Sequence, residues 1–156
     1  MKGKKKNRPE VKFEIFKTTD KSIWKVFAKH HYLSHSHNNA AHVYVAYINN
    51  QLAGFLSVLH FPHPKAKNIK KVHRLVILPD YQGAGFGIKF LEFIGELYKQ
   101  EKHRYTIVTS APSLIYALKK SNKWNCKKFG RNTKHSGDLR KDAGSVDRIT
   151  ASFELK

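Results

Sequence analysis

One cysteine in 156 residues leaves no partner for an internal disulfide. That residue, Cys126, has no activating neighbour in sequence and reads as a buried or bystander thiol rather than a nucleophile. No apolar run is long enough for a signal peptide or a membrane-spanning helix. The two absences together make a reducing, cytoplasmic setting the expectation. Acidic side chains are scarce as well: eleven Asp and Glu stand against thirty Lys and Arg, for a formal charge of +19. A field of that sign attracts polyanions such as RNA, DNA or an acidic protein. The alternative is a basic solvated surface with only non-specific nucleic-acid affinity. No internal repeat is present.

What the chain does have is a core. Hydrophobic residues make up 40% of it and aromatics 12%, which suits one folded domain of this length. The exception is the start, where Lys2, Lys4, Lys5, Lys6 and Arg8 offer too little apolar surface to offset the entropy of ordering. Residues 1–10 are therefore expected to be a basic, flexible tail, and 11–156 a single domain.

Along the domain, Phe13–Phe16 reads as a strand, and Thr18, Thr19 and Asp20 are candidate N-caps for a helix from about Ser22 to Leu33 with Ile23, Trp24 and Phe27 on its core face. The following loop carries His30, His31, His35 and His37. Its spacing permits a metal reading, but no cysteine or carboxylate accompanies it, and Ser, His and Asn are ordinary loop residues. Val43–Ile48 and Leu52–Leu59 form a hairpin across Asn49-Asn50-Gln51, and Phe61-Pro62-His63-Pro64 is expected to end the second strand. Lys65, Lys67, Lys70 and Lys71 then make a basic connection into a central strand. Strict alternation there puts His73 on the same side as Leu75 and Ile77. Downstream come a helix after Gly85 with Phe86, Phe90, Phe93 and Leu97 as a core stripe and Leu91, Ile94 and Tyr98 beside it, a strand at Tyr105–Thr109, a helix opened by Ser110-Ala111-Pro112, a polar tail over 131–148, and a last strand at Ile149–Leu155. The order, β-α-β-β-β-α-β-α-(β)-β, is that of an α/β domain with a mixed central sheet flanked by helices.

The stretch that organises this order is Val72 to Gly87. A β-branched run breaks at Pro79-Asp80 and passes Gly83, Gly85 and Gly87 before the helix begins. Glycines there let a ligand lie against bare backbone, and the loop amides join the positive end of the helix to make a site for phosphate oxygens. A Walker loop is excluded because Lys89 stands between Ile88 and Phe90 with no hydroxyl after it, and the period of the three glycines differs from the dinucleotide fingerprint.

The pattern Leu75-x-Ile77-x-Pro79-x-x-Gln82-Gly83-x-Gly85-x-Gly87 resembles the acetyl-CoA-binding motif of the GNAT superfamily of N-acetyltransferases. The resemblance implies a GNAT-like fold and acetyl-CoA as acyl donor. It assigns Leu75, Val76 and Ile77 to the pantetheine arm, with the Ile77 amide near the thioester oxygen. Gln82, Gly83, Ala84, Gly85, Phe86 and Gly87 would hold the pyrophosphate, Ser113 would be a further cofactor contact, and His30 and His31 would lie on the acceptor side. The chain departs from the family pattern on the central strand, where many members place a glutamate; His73 is the substitute base, with packing on the sheet as its alternative reading. It departs again at the thiol side, where counting back from Trp124 reaches Lys119, leaving Tyr116 as the nearest tyrosine. The implied activity is acetyl transfer to a primary amine by direct attack on the thioester. The acceptor is open; the charge points to an acidic macromolecule such as aminoacyl-tRNA or a nucleic-acid-associated protein, with the protein itself a monomer or homodimer. The alternative class is a non-catalytic, basic nucleic-acid-binding module that retains the fold.

Overall fold

A computed structural model describes residues 9–31, 35–131 and 148–156. The basic stretch ahead of Pro9 and most of the polar segment before the last strand lie outside these residues. Seven strands form one sheet in the order β1-β2-β3-β4-β5-β7-β6. They are β1 (Phe13–Thr18), β2 (His42–Ile48), β3 (Gln51–His63), β4 (Ala66–Ile77), β5 (Arg104–Thr109), β6 (Trp124–Arg131) and β7 (Ile149–Leu155). All neighbouring pairs are antiparallel except β4 and β5. Among the described residues three α-helices accompany them: α1 (Trp24–Phe27), α2 (Phe86–Gln100) and α3 (Pro112–Lys120).

The sheet is covered on both faces. One core joins Leu56, Val72, Tyr105 and Phe153 to Phe90, Leu91 and Ile94 of α2 and to Ile115 and Leu118 of α3. The other packs Trp24 and Phe27 of α1 on Val45, Phe55 and Val76.

The first helix is shorter than its apolar spacing implies. Asp20 caps the 3-10 turn at Lys21–Ile23, its carboxylate accepting from the Ser22 amide at 2.9 Å, but only Trp24–Phe27 is α-helical, between that turn and a second at Ala28–His30. The Trp24 indole donates to the His35 carbonyl at 2.7 Å, which folds the following loop back over the tryptophan. A helix continued to Leu33 would carry that loop away from it.

The hairpin turn needs only Asn49 and Asn50, both left-handed at φ 48° and 63°, so Gln51 already belongs to β3. Pro62 does not end β3. The strand runs on to His63 because the register with β4 skips between Phe61↔Ile69 and His63↔Ala66. Asn68, at φ 59°, takes up the extra residue on β4, so the proline needs no ladder donor of its own. The lysines expected in a connection are therefore mostly strand residues of β4.

In α2 the buried line is Phe90, Leu91, Ile94, Gly95 and Tyr98, while Phe93 and Leu97 are 51% and 40% exposed. Gly95 explains the rotation: a Cβ there would stand 2.6 Å from Leu155 Cδ2 and from Tyr105 Cδ1, so this is where the helix comes closest to the sheet. Glu92 accepts from Trp124 Nε1 at 3.1 Å and Ser121 Oγ at 3.2 Å and ties α2 to the end of α3.

Candidate active site

Pairing of β4 with β5 covers only Ile69↔Arg104, Lys70↔Tyr105 and Lys71↔Thr106. Beyond Lys71 the two parallel strands part. From Val72 to Ile77, β4 keeps its ladder to β3 on one side and, among the described residues, has no strand on the other. A cavity of about 910 Å3 fills the opening. Its walls are β4 from Val72 to Ile77, β5 from Ile107 to Thr109, the glycine loop, and the first turns of α3.

At the far end the loop is built as the glycines require. Gly83 and Gly85 adopt φ 83° and 81°, and nothing lies within 4 Å of the place a Cβ would occupy at either. Gly85 is the N-cap of α2, and Lys89 N is the first helical amide to reach a carbonyl, that of Gly85, at 3.2 Å. The amides of Phe86, Gly87 and Ile88 precede it without an intrahelical acceptor, at the positive end of a fifteen-residue helix. Gln82 fixes the loop to the strand, since its Nε2 donates to the Ile77 carbonyl at 2.8 Å.

Most of the residues singled out in sequence meet here. Leu75, Val76, Ile77, Gln82, Gly83, Gly85, Phe86, Gly87 and Ser113 line the cavity, as do His30, His31 and His73. Two do not. Ala84 is exposed outside the lining, and Tyr116 sits on the outer side of α3, 66% exposed, with its hydroxyl 3.5 Å from Lys120 Nζ. The helix turns its Ser113, Leu114 and Ala117 to the cavity, and one position before Ala117 lies roughly 100° away around a helix. The β5 wall and the Leu114 and Ala117 side of α3 were missed in sequence. Continued past Lys71↔Thr106, the parallel register of β4 and β5 sets Ile107–Thr109 across the gap from Val72–Arg74, a juxtaposition that no local run of residues reports.

The alternation assumed for the central strand fails at His73. Ser57 pairs with Arg74 and Val58 with Val72, so His73 is the extra residue of a β-bulge. Val72 and Leu75 consequently share the α2 side, and His73 does not share a face with Ile77 but turns to the loop after α1. There its ring lies 5.4 Å from that of His37, which packs in turn on Trp24 and Phe55. The Asn38 amide donates to His73 Nε2 at 3.1 Å. Burial, then the charges of Arg74, His37, His31 and Lys71, lowers the His73 pKa to about 4. At neutral pH it is thus an uncharged imidazole whose Nε2 lone pair is engaged by backbone. His37 is lowered too, chiefly by burial, and both its ring nitrogens are without a hydrogen-bond partner among the described residues. Among the described residues, no group of three or more His, Cys, Asp or Glu side chains is arranged to hold a metal ion. Cys126 is exposed on β6 rather than buried.

A sequence model of the acetyltransferase (GNAT) domain matches residues 39–125, more than half of the chain. No curated protein sequence matches significantly. Among solved structures the chain is similar to the IAA acetyltransferase from Bacillus cereus ATCC 14579, with a TM-score of 0.69 and 17% identity over 92% of this chain and 99% of that one. A GNAT family acetyltransferase from Elizabethkingia anophelis with acetyl-CoA bound gives a TM-score of 0.66 at 13% identity, over 96% and 99% of the two chains. The ribosomal-protein-S18-alanine N-acetyltransferase from Escherichia coli gives 0.63 at 15% identity, over 94% and 93%.

Proposed function

Because the chain belongs to the GNAT acetyltransferase family, on the match over residues 39–125, we propose that it is an acetyl-CoA-dependent N-acetyltransferase acting on a primary amine. The observation that carries this reading is the parting of β4 from β5 beyond Lys71, with the amides at the start of α2 closing the far end of the gap. The residues suit the donor. Gly83 and Gly85 leave bare backbone facing open space, so phosphate oxygens can approach the amides of the loop and first turn. The unpaired side of β4 from Leu75 to Ile77 offers backbone donors and acceptors to an amide-bearing arm, and Ser113 adds a hydroxyl from α3. The same match to a neighbour that holds acetyl-CoA supports this choice of donor.

When bound, the thioester supplies an activated acyl carbon. What this chain adds is orientation between β4 and β5, and backbone amides toward the oxygen on which charge develops. One such donor is worth about 3 kcal/mol where it is pre-positioned. The acceptor enters from the His30–His31 side, where His31 is buried against Trp24 with ring centroids 5.9 Å apart. His73 holds the Asn38 amide and stays neutral, so we assign it to positioning the acceptor loop and leave the amine's proton to pass to solvent. The charge of +19 favours an acidic acceptor such as aminoacyl-tRNA or a nucleic-acid-associated protein, met in the cytoplasm by residues 11–156 as one catalytic domain.

Calorimetry with acetyl-CoA tests the reading, with binding in the micromolar range expected and no heat at millimolar donor overturning it. The outward placement of Tyr116 and the engaged lone pair of His73 favour a second reading, a nucleic-acid-binding module that keeps the fold without turnover. Thiol release with a range of amines, abolished by Gly85→Glu, decides against that second reading.

A further inference from the structure

A second cavity of about 360 Å3 opens beside the first, at the point where β4 and β5 part. The two share His31, Val72, His73 and Val108 as a common wall, so the smaller one is an annex on the acceptor side of the larger. Its outer wall comes from the extended β3–β4 hairpin, which carries Phe61 and Lys71. The Lys71 ammonium stands 4.9 Å from the Phe61 ring centroid, and the ring is 39% exposed. That volume suits a metabolite-sized group.

Among the described residues, no carboxylate lines the annex. His60, His31, His73, Lys71 and Arg74 are its titratable lining, and every one is basic. The charged neighbours acting on His73 are basic without exception as well: Arg74, His37, His31 and Lys71. Lys71 takes part in none of the ion pairs found among the described residues, whereas Lys12, Lys123 and Lys127 each meet a glutamate. A bare diamine entering here would meet the cations of Lys71 and Arg74 and, among the described residues, no anion. A molecule that brings its own anion would neutralise the annex while its amine faces the donor cavity. The same field favours the unprotonated amine, which is the form that attacks.

We propose that the acceptor is a primary amine bearing an anionic group, carboxylate or phosphate, and that this group docks at Lys71 beside Phe61. The inference rests on the acetyltransferase reading and names the acceptor class of that site.

The test follows thiol release from acetyl-CoA by the full chain with four matched amines: 2-aminoethyl phosphate, β-alanine, ethanolamine and 1,4-diaminobutane. At least one of the two anionic amines is expected to exceed both others by tenfold or more in kcat/KM, and the better of the two identifies phosphate or carboxylate. Lys71→Glu should raise KM for that amine by tenfold or more, ease use of the diamine, and leave acetyl-CoA affinity unchanged by calorimetry, which also reports that the variant is folded. A wild-type preference for ethanolamine or the diamine overturns the proposal, and so does a Lys71→Glu variant that binds donor normally with unaltered acceptor preference. Should wild type bind no acetyl-CoA, the acetyltransferase reading fails on its own. Titration of 2-aminoethyl phosphate and β-alanine into wild type and Lys71→Glu then decides the annex separately, and absence of Lys71-dependent binding sinks it.

Discussion

The amide of Asn38 donates to His73 Nε2 at 3.1 Å, joining the loop after the first helix to the bulge in the central strand. An imidazole held this way cannot take a proton on Nε2 without losing the bond. Its pKa, about 4, lies below the unfolded value of 6.5, so the unfolded chain binds the proton first as pH falls. Stability contributed by His73 is complete above pH 6.5 and is lost as pH drops toward 4. The partly exposed ring is screened by solvent, which discounts the loss to on the order of 1–2 kcal/mol. His37 and His42, both lowered mainly by burial, act with the same sign. Urea midpoints between pH 7.5 and 4.5 should fall for wild type and fall less for His73→Gln. Equal slopes for the two proteins would show that the ring is not held neutral.

The glycines separate donor binding from folding. Gly83 and Gly85 need positive φ but face open space, so Ala at either costs about 1 kcal/mol of stability through backbone strain alone. The added methyl also stands between phosphate oxygens and the loop, and acetyl-CoA affinity should drop by tenfold or more. Gly95→Ala has the opposite signature. Its Cβ meets the Tyr105 ring and Leu155 at 2.6 Å, which predicts destabilisation of about 2–4 kcal/mol with donor affinity unchanged in the protein that remains folded. Thermal melts read beside donor titrations distinguish the two; a Gly85→Ala variant with native affinity would remove the loop from the site.

Much of this was legible in sequence because it depends on local backbone chemistry. Gly83 and Gly85 declare a loop that must bend and stay bare, and the run ahead of Pro79 declares a strand feeding it. The order of strands and helices around that loop follows from the same runs of residues. What escaped were the places where a tertiary contact overrides a period. The bulge at His73 shifts alternation by one, and nothing in the residues from Lys71 to Leu75 reports an unpaired position opposite Ser57 and Val58. Gly95 is weak as a helix residue and strong as a contact, so a stripe drawn through large apolar residues chose Phe93 and Leu97 instead. Pro62 stops a strand only if its partner cannot bulge, and Asn68 supplies that bulge from the facing strand, where no rule about the residues flanking a proline looks.

Tyr116 supplies a direct test of the thiol side. Its hydroxyl is outside the cavity and near Lys120, so Tyr116→Phe should leave kcat within about twofold, since general acid–base catalysis is usually worth roughly a hundredfold or more. A hundredfold loss in thiol release would return the tyrosine to the chemistry and require α3 to rotate when donor is present.

Gln82 holds the loop from outside, and its removal should show how far the amides depend on being held. The bond from Nε2 to the Ile77 carbonyl spans the Pro79–Tyr81 turn, so it fixes where the first glycine leaves the strand. Tyr81 anchors the same turn from the other side, its hydroxyl donating to Gln51 Oε1 at 2.6 Å. With one anchor gone the turn survives, and Gln82→Ala should cost only about 1 kcal/mol of stability. Donor binding is more sensitive, because amides that must be ordered on binding draw on the binding energy. A five- to twentyfold weaker acetyl-CoA titration is expected, with Gln82→Glu no better, since a carboxylate cannot donate to the Ile77 carbonyl and adds charge beside the phosphates. Full donor affinity in both variants would mean that Tyr81 and the helix alone set the loop.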